Sequence, residues 1–271
     1  MSQTAPVSVI IPCYRCSATI GRAIASVAAQ TSSPAEVVLV DDASGDNTRS
    51  LLEALCRRYE AGWIKLVLLD QNVGAGSARN AGWAVATQPF IAFLDSDDAW
   101  HQQKIEVQFG YMASHPDIVL SGHESRVLRA GMMPNWPIKR MRSAKTIGKW
   151  PMILKNSFVT PSVMLRRDIQ PRFLERQRYM EDHMLWMRVV CGGDRVVKLP
   201  IALAAIYKNP FGVSGLSSNF WKMELSDLGN YHRIYQAQYV NFFQFSMLVV
   251  YSTLKYFRRL IIYVTSLRWK K

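Results

Sequence analysis

Short apolar runs and helical stripes alternate along the first hundred residues. Val7-Ser8-Val9-Ile10-Ile11 is a β-branched run that stops at Pro12. Its lack of a polar face predicts a strand buried on both sides. Ile20, Ala23, Ile24, Val27 and Ala28 recur at helical spacing within residues 18–30, which predicts an amphipathic helix. The same alternation continues with a strand at 36–40, a helix at 47–59, a strand at 64–69, a helix at 75–86 and a strand at 90–94. Strand and helix in strict turn predict a doubly wound, mostly parallel α/β sheet of Rossmann-like type. Beyond residue 100 the pattern is less regular. It predicts a helix at 101–115, strands at 118–121 and 162–165, and a helix at 182–191. Residues 124–150 have no clear period and read as loop. From Phe220 onward the period is helical again, so the expected division is a catalytic unit over 1–219 and a helical tail over 220–271.

In such sheets ligands sit beyond the carboxyl ends of the strands. The unusual polar residues cluster there: Tyr14, Asp41, Asp42, Asp95, Asp97 and Asp98. Asp95-Ser96-Asp97-Asp98 places three carboxylates within four residues. Their repulsion raises their pKa values unless a cation neutralises it. Hard oxygen ligands of this kind suit Mg²⁺ or Mn²⁺ shared with substrate phosphates, so Asp95, Asp97 and Asp98 are the expected metal ligands. Asp41 and Asp42 offer acceptors to a base N–H or a ribose hydroxyl. N-capping is the plainer use for all of these aspartates. Residues 72–80 bring Gly74, Arg79 and Asn80 to the start of a helix, a place that suits an anionic diphosphate.

Charge and cysteine content narrow the classes. The 271 residues carry a net charge of +13 and are 49% hydrophobic. That is enough apolar material for one large core. The positive charge favours nucleotide phosphates, anionic lipid or nucleic acid as partners. Nucleic acid is disfavoured because an acidic cluster would repel its phosphates and no helix-turn-helix, zinc or RNP motif occurs. Gly74-x-Gly76 suggests a dinucleotide site, but Arg79 stands where the third glycine belongs. Cys13-Tyr14-Arg15-Cys16 has no second cysteine pair to complete a zinc site, and reduced, incidental thiols are expected. The short polar segment before the first strand reads as no signal peptide.

Four segments in order carry a resemblance: Ser8-Val9-Ile10-Ile11-Pro12-Cys13-Tyr14, Val40-Asp41-Asp42-Ala43-Ser44, Asn72-Val73-Gly74 with Ala78-Arg79-Asn80, and Phe93-Leu94-Asp95-Ser96-Asp97-Asp98. Together they resemble the family 2 glycosyltransferases, enzymes of the GT-A fold. The resemblance implies donor contacts from Pro12, Tyr14, Asp41, Asp42, Gly74, Arg79, Asn80, Asp95 and Ser96. Tyr179-Met180-Glu181-Asp182-His183 is similar to the family's E-D motif. It implies Asp182 as the catalytic base, which an inverting transfer needs to take the acceptor's proton, with Glu181 positioning it or the acceptor. Residues 158–164 resemble the acceptor side, and 207–217 the loop that closes over the donor. Arg15 stands where the family usually has Asn, and Ala43 where it has Gly. The Q-x-x-R-W motif of processive synthases is absent, which implies one sugar per acceptor. The resemblance further implies a UDP-sugar as default donor and a polyprenyl-diphosphate-linked acceptor in bacterial exopolysaccharide or O-antigen assembly. A non-catalytic nucleotide- or membrane-surface-binding module is the competing reading.

The tail completes the picture. No charge occurs from Ile234 to Leu254, and no acid follows Asp227. Asn241, Gln244, Ser252, Lys255 and Arg259 fall near one helical face; Phe242, Phe245, Leu248, Val249, Tyr256, Phe257 and Leu260 lie on or beside the other. The pattern suggests helices lying in the interface of an anionic leaflet, a peripheral site on the cytoplasmic face of the inner membrane. Packing onto the catalytic unit and a true span are the alternatives.

Overall fold

A computed structural model describes residues 4–138, 143–207 and 219–268, the side chains of 263–268 excepted. The chain divides into two compact units, one ending at Tyr207 and one beginning at Lys208.

The first unit is built on one nine-stranded sheet. Its leading half follows the predicted alternation: β1 (Thr4–Cys13), α1 (Ile20–Ala28), β2 (Ser33–Asp41), α2 (Thr48–Arg58), β3 (Ile64–Leu68), α3 (Ala75–Val85) and β4 (Phe90–Phe93). β3, β2, β1 and β4 lie side by side and parallel. The order reverses between β1 and β4, so a crevice opens beyond Cys13, Asp41 and Phe93 at one sheet edge. Val7, Val9 and Ile11 turn one face of β1 into the core with Ile20, Ala23, Ile24 and Val27 of α1. Phe93 anchors the other face through an aromatic cluster, its ring centroid 5.7 Å from Trp83, 5.4 Å from Phe173 and 6.4 Å from Trp186. That cluster lies directly beneath the turn that begins at Asp95.

The second half differs from the mostly parallel expectation. It comprises β5 (Ala99–Trp100), α4 (Lys104–Ala113), β6 (Ile118–Val127), β7 (Lys145–Thr146), α5 (Lys149–Leu154), a 3-10 turn (Thr160–Ser162), β8 (Met164–Arg166), α6 (Glu181–Cys191) and β9 (Arg195–Ile206). The sheet continues β4-β8-β6-β9-β5, with β7 on β9, and only the β6–β9 pair is parallel here. The sheet is therefore mixed. β9 has no counterpart among the predicted elements. Its Pro200 and alanine-rich end are poor strand signals, and the ladder with β6 slips register between the His123–Leu199 and Glu124–Ala202 pairs, on either side of that proline.

Close packing of α3 on the sheet depends on Gly82. A Cβ there would lie 2.6 Å from Ile10 Cγ2 and 3.0 Å from Val40 Cγ2. Gly82→Ala is expected to cost about 1–3 kcal/mol through overpacking, measured as a lower urea midpoint.

The second unit contains α7 (Phe220–Gln236) and α8 (Phe242–Arg268). Among the described residues no helix is long and apolar enough to cross a membrane.

Candidate active site

Two loops form the first wall. The Asp42 amide donates to the Cys13 carbonyl at 2.8 Å, and the Cys16 amide to Thr48 Oγ1 at 3.0 Å, tying the chain after β1 to the chain after β2. Pro12 is half-buried at the end of β1; Tyr14 is exposed beside it. Arg15 takes φ +48° and Ala43 φ +55°. Ala43 thus keeps the left-handed backbone that explains a glycine preference at its position. Cys13 and Cys16 are buried free thiols.

The two aspartates ending β2 have different partners. Asp41 is buried and accepts from the Ser44 hydroxyl. Asp42 accepts from the Val73 amide at 2.7 Å, the Gly74 amide at 2.9 Å and Asn72 Nδ2 at 2.9 Å. Burial pushes the Asp42 carboxyl above the usual range, while the Val73 and Gly74 amides pull the other way. Asp42 therefore shapes the loop before α3, which turns at Gly74 with φ +88°.

The start of α3 departs from the expectation of an open diphosphate cradle. Asn80 donates to the Phe173 carbonyl at 2.8 Å and accepts from the Phe173 amide at 3.1 Å. Ser77 Oγ accepts from the Arg176 amide at 2.9 Å. A Cβ on Gly76 would lie 3.0 Å from Glu181 Cγ. The first turn of α3 is thus covered by the segment running into α6. Its polar groups hold that segment, because a helix N-terminus satisfies its own free donors and side chains with whatever polar chain lies nearest.

Arg79 makes the central connection. It is buried, with Nη2 2.6 Å from Asp95 Oδ1 and Nη1 3.1 Å from Glu181 Oε1. The carboxyl end of β4 and the first residue of α6 are thereby joined through one guanidinium. Burial and the neighbouring Asp182 charge push the Glu181 carboxyl up to about 7, against the pull of Arg79.

Beyond Asp95 the chain turns tightly, the Asp98 amide donating to the Asp95 carbonyl at 3.0 Å. Asp98 is buried and accepts from the Tyr207 amide at 3.3 Å. Arg22 donates to the Asp97 carbonyl and lies 3.6 Å over the Tyr207 ring. Ser96 and Asp97 are half-buried. Among the described residues no three Asp, Glu, His or Cys side chains are grouped to hold a metal ion. Asp95, Asp97 and Asp98 therefore do not converge as a set of three, since Asp95 pairs with Arg79 and Asp98 faces the Tyr207 amide.

Asp182 sits in the first turn of α6. Its Oδ2 accepts from Asn156 Nδ2 at 3.0 Å and Thr160 Oγ1 at 3.3 Å, and its Oδ1 from the His183 amide at 2.6 Å. The helix N-terminus favours its negative charge. Asn156 was not legible in the sequence, lying next to an aperiodic stretch with only turn chemistry around it. Arg22 was missed as well, and Tyr207 was expected only as the start of the loop that closes over the donor. The expected donor loop beyond Tyr207 lies outside the described residues.

A parallel half-sheet with aspartates at its switch point is an arrangement that binds ligands beyond its strand ends. A family model described as "Glycosyl transferase family 2" matches residues 8–169. The chain belongs to that family and has its GT-A fold, and it is related to bacterial exopolysaccharide and surface-polysaccharide enzymes. It is 32% identical over 179 residues to the amylovoran biosynthesis glycosyltransferase AmsE of Erwinia amylovora, covering 65% of this chain and 66% of the relative. It is 31% identical to the UDP-Glc:alpha-D-GlcNAc-diphosphoundecaprenol beta-1,3-glucosyltransferase WfgD of Escherichia coli, covering 68% of this chain and 69% of that one. Two solved structures share the fold. One is S. aureus TarS 1-349 in complex with UDP-GlcNAc, with TM-score 0.69, 20% identity and coverage of 93% of this chain and 72% of that chain. The other is the Pyrobaculum calidifontis mannosyltransferase PcManGT with GDP-Man and Mn²⁺, with TM-score 0.66, 16% identity and coverage of 87% and 65%.

Proposed function

We propose that the chain moves one sugar from a nucleotide-sugar donor, by default a UDP-sugar, to a hydroxyl of a lipid-linked saccharide, with inversion. The observation that carries this reading is the Asp95–Arg79–Glu181 chain of ion pairs. It fixes the aspartate turn relative to the helix start that holds Asp182. The diphosphoundecaprenol acceptor in the name of the E. coli relative supports the acceptor class. The UDP-GlcNAc and GDP-Man complexes support a nucleotide-sugar donor.

Asp182 takes the proton of the acceptor hydroxyl. The freed oxygen attacks the anomeric carbon, and the bond from that carbon to the diphosphate breaks on the opposite side. Asn156 and Thr160 hold the carboxylate in place; Glu181, anchored by Arg79, fixes the helix start. Asp41 serves the nucleoside, beside Pro12 and Tyr14, while Asp42 keeps the neighbouring loop in shape. Ser96 lines the same crevice.

Carboxylates of Asp95 and Asp97 are hard donors of the kind that hold Mg²⁺ or Mn²⁺ when substrate phosphates complete the shell. Such an ion, when bound, would offset the charge of the departing diphosphate. Asp95 is already bonded to Arg79 and no third protein carboxylate joins them among the described residues, so these groups fit such an ion only where the donor's phosphates supply the remaining ligands.

Titrating nucleotide sugars by calorimetry tests the reading. One donor is expected to bind with Mn²⁺ present and to weaken at least about tenfold with chelator, a loss of about 1.4 kcal/mol. A folded chain that binds no donor in the presence of metal would point instead to a non-catalytic module.

A further inference from the structure

The second unit buries charged and polar groups beside Tyr231, Ile234 and Leu248 and leaves many apolar side chains exposed. Glu224, Asp227 and Asn230 recur every third residue on α7 and are buried. Ser252 of α8 is buried too, and Lys255 Nζ lies 2.9 Å from Asp227 Oδ2. Arg259 joins the same cluster. Burial and then the Asp227 and Glu224 charges drive the Tyr231 phenol well above its ordinary pKa, with Arg259 opposing. Asp227 and Lys255 thus pair across the two helices, while the buried Glu224 carboxylate and Arg259 Nη1 have no hydrogen-bond partner among the described residues.

Much of the outside of α8 is apolar, with Thr253 and Arg258 exposed among the apolar residues. Phe243, Met247, Val250, Leu254, Phe257 and Ile261 are all exposed on α8, Phe243 at 73% and Leu254 at 65%. Trp221 and Leu225 are exposed on α7. This corrects the expected faces. Lys255 turns inward to a carboxylate rather than outward to headgroups, and Leu248, expected on the apolar face, is buried.

In water, large side chains go inside and charges outside. In hydrocarbon the reverse holds: polar groups pair within the bundle and apolar groups face the acyl chains. We infer that the α7–α8 hairpin is an inside-out unit whose outer face seats in the acyl layer of an anionic membrane leaflet. The outward spacing of four and three residues also suits a helix seam with a second copy. Lipid is favoured because the exposed surface is wider than a seam. Phe242, Tyr251 and Ile262 flank it, and α7 contributes its own exposed pair. The stripe from residue 242 to 262 is about 30 Å long and lies along the surface, since no described helix is apolar enough to cross. Arg258 is exposed next to the stripe and complements anionic headgroups. The inference does not rest on the transfer reading.

The test is co-sedimentation of the full chain with vesicles of phosphatidylcholine, alone or mixed with phosphatidylglycerol. The parent chain is expected to pellet, more strongly with the anionic lipid. Leu254→Glu with Phe257→Glu places charges on outward positions without touching the buried cluster. It is expected to weaken pelleting on the order of 100-fold, as the loss of two buried apolar side chains dictates. Donor calorimetry on the same variant, expected unchanged, shows that the first unit is intact. A parent chain that stays in the supernatant, or a double variant that pellets equally, overturns the inference. So does light scattering that shows a stable dimer indifferent to vesicles, which would assign the face to a second copy.

Discussion

Asp182→Asn is expected to bind donor as the parent chain does and to transfer sugar about 10²–10⁴ times more slowly, the range general-base catalysis supplies. Asparagine keeps the size of the side chain and one oxygen to accept from Asn156 and Thr160, and gives up only the acceptor that faces the His183 amide. What it lacks is a basic lone pair for the acceptor proton. The effect should fall on turnover with both substrates present, while the calorimetric donor affinity stays. Asn156→Ala serves as a graded control. It removes one hydrogen bond to a charged group, costing roughly 1.5 kcal/mol or about tenfold, and should lower turnover without abolishing it. Near-normal turnover in Asp182→Asn would remove Asp182 from the role of base.

Arg79→Met is expected to have the largest structural effect. Arg79 is buried and is the one guanidinium bonded to both Asp95 and Glu181, whose side chains are 30% and 12% exposed. Removing it strands two carboxylates near Asp182. Breaking a buried pair in this way costs about 3–5 kcal/mol, and Asp95's exposure puts this case near the lower end. The pH dependence has a definite sign. Glu181's carboxyl stands at about 7 in the fold, above the ordinary carboxylate range. A group raised in this way binds its proton more tightly folded than unfolded, so the fold loses stability as pH rises through about 7. Arg79 opposes that rise, and without it the loss deepens. Urea unfolding should therefore show a larger deficit for Arg79→Met at about pH 8 than at about pH 5. An equal deficit at both would mean that the ion pairs do not couple to Glu181's proton.

The parallel half of the sheet was legible because its strands are short, mostly apolar runs and α1 and α2 each carry an apolar stripe. The polar residues that end those strands, Asp41 and Asp95 above all, were legible for the same reason: they interrupt runs that are otherwise apolar. The partners of those residues were not. Arg79 and Asn80 read as ligand contacts, yet their bonds go to Asp95, Glu181 and Phe173, distant in sequence. Nothing local in residues 72–80 announces a partner about a hundred residues away. Lys104 is a similar case, fully buried with its ammonium 3.7 Å from the Trp100 ring, where composition alone would place a lysine in water. β9 was hidden by Pro200. In the tail, the helical faces were readable one helix at a time, but the direction they face depends on pairing Asp227 with Lys255 across a hairpin.

The proposed reaction is a single displacement at the anomeric carbon, driven by Asp182. The most direct measurement is the anomeric configuration of the product, read by proton NMR after reaction of the donor that binds with a lipid-diphosphate saccharide. The account predicts inversion, so an α-linked donor yields a β-linked product. A product that retains the donor's configuration would contradict it, because retention does not arise from one in-line attack assisted by a base.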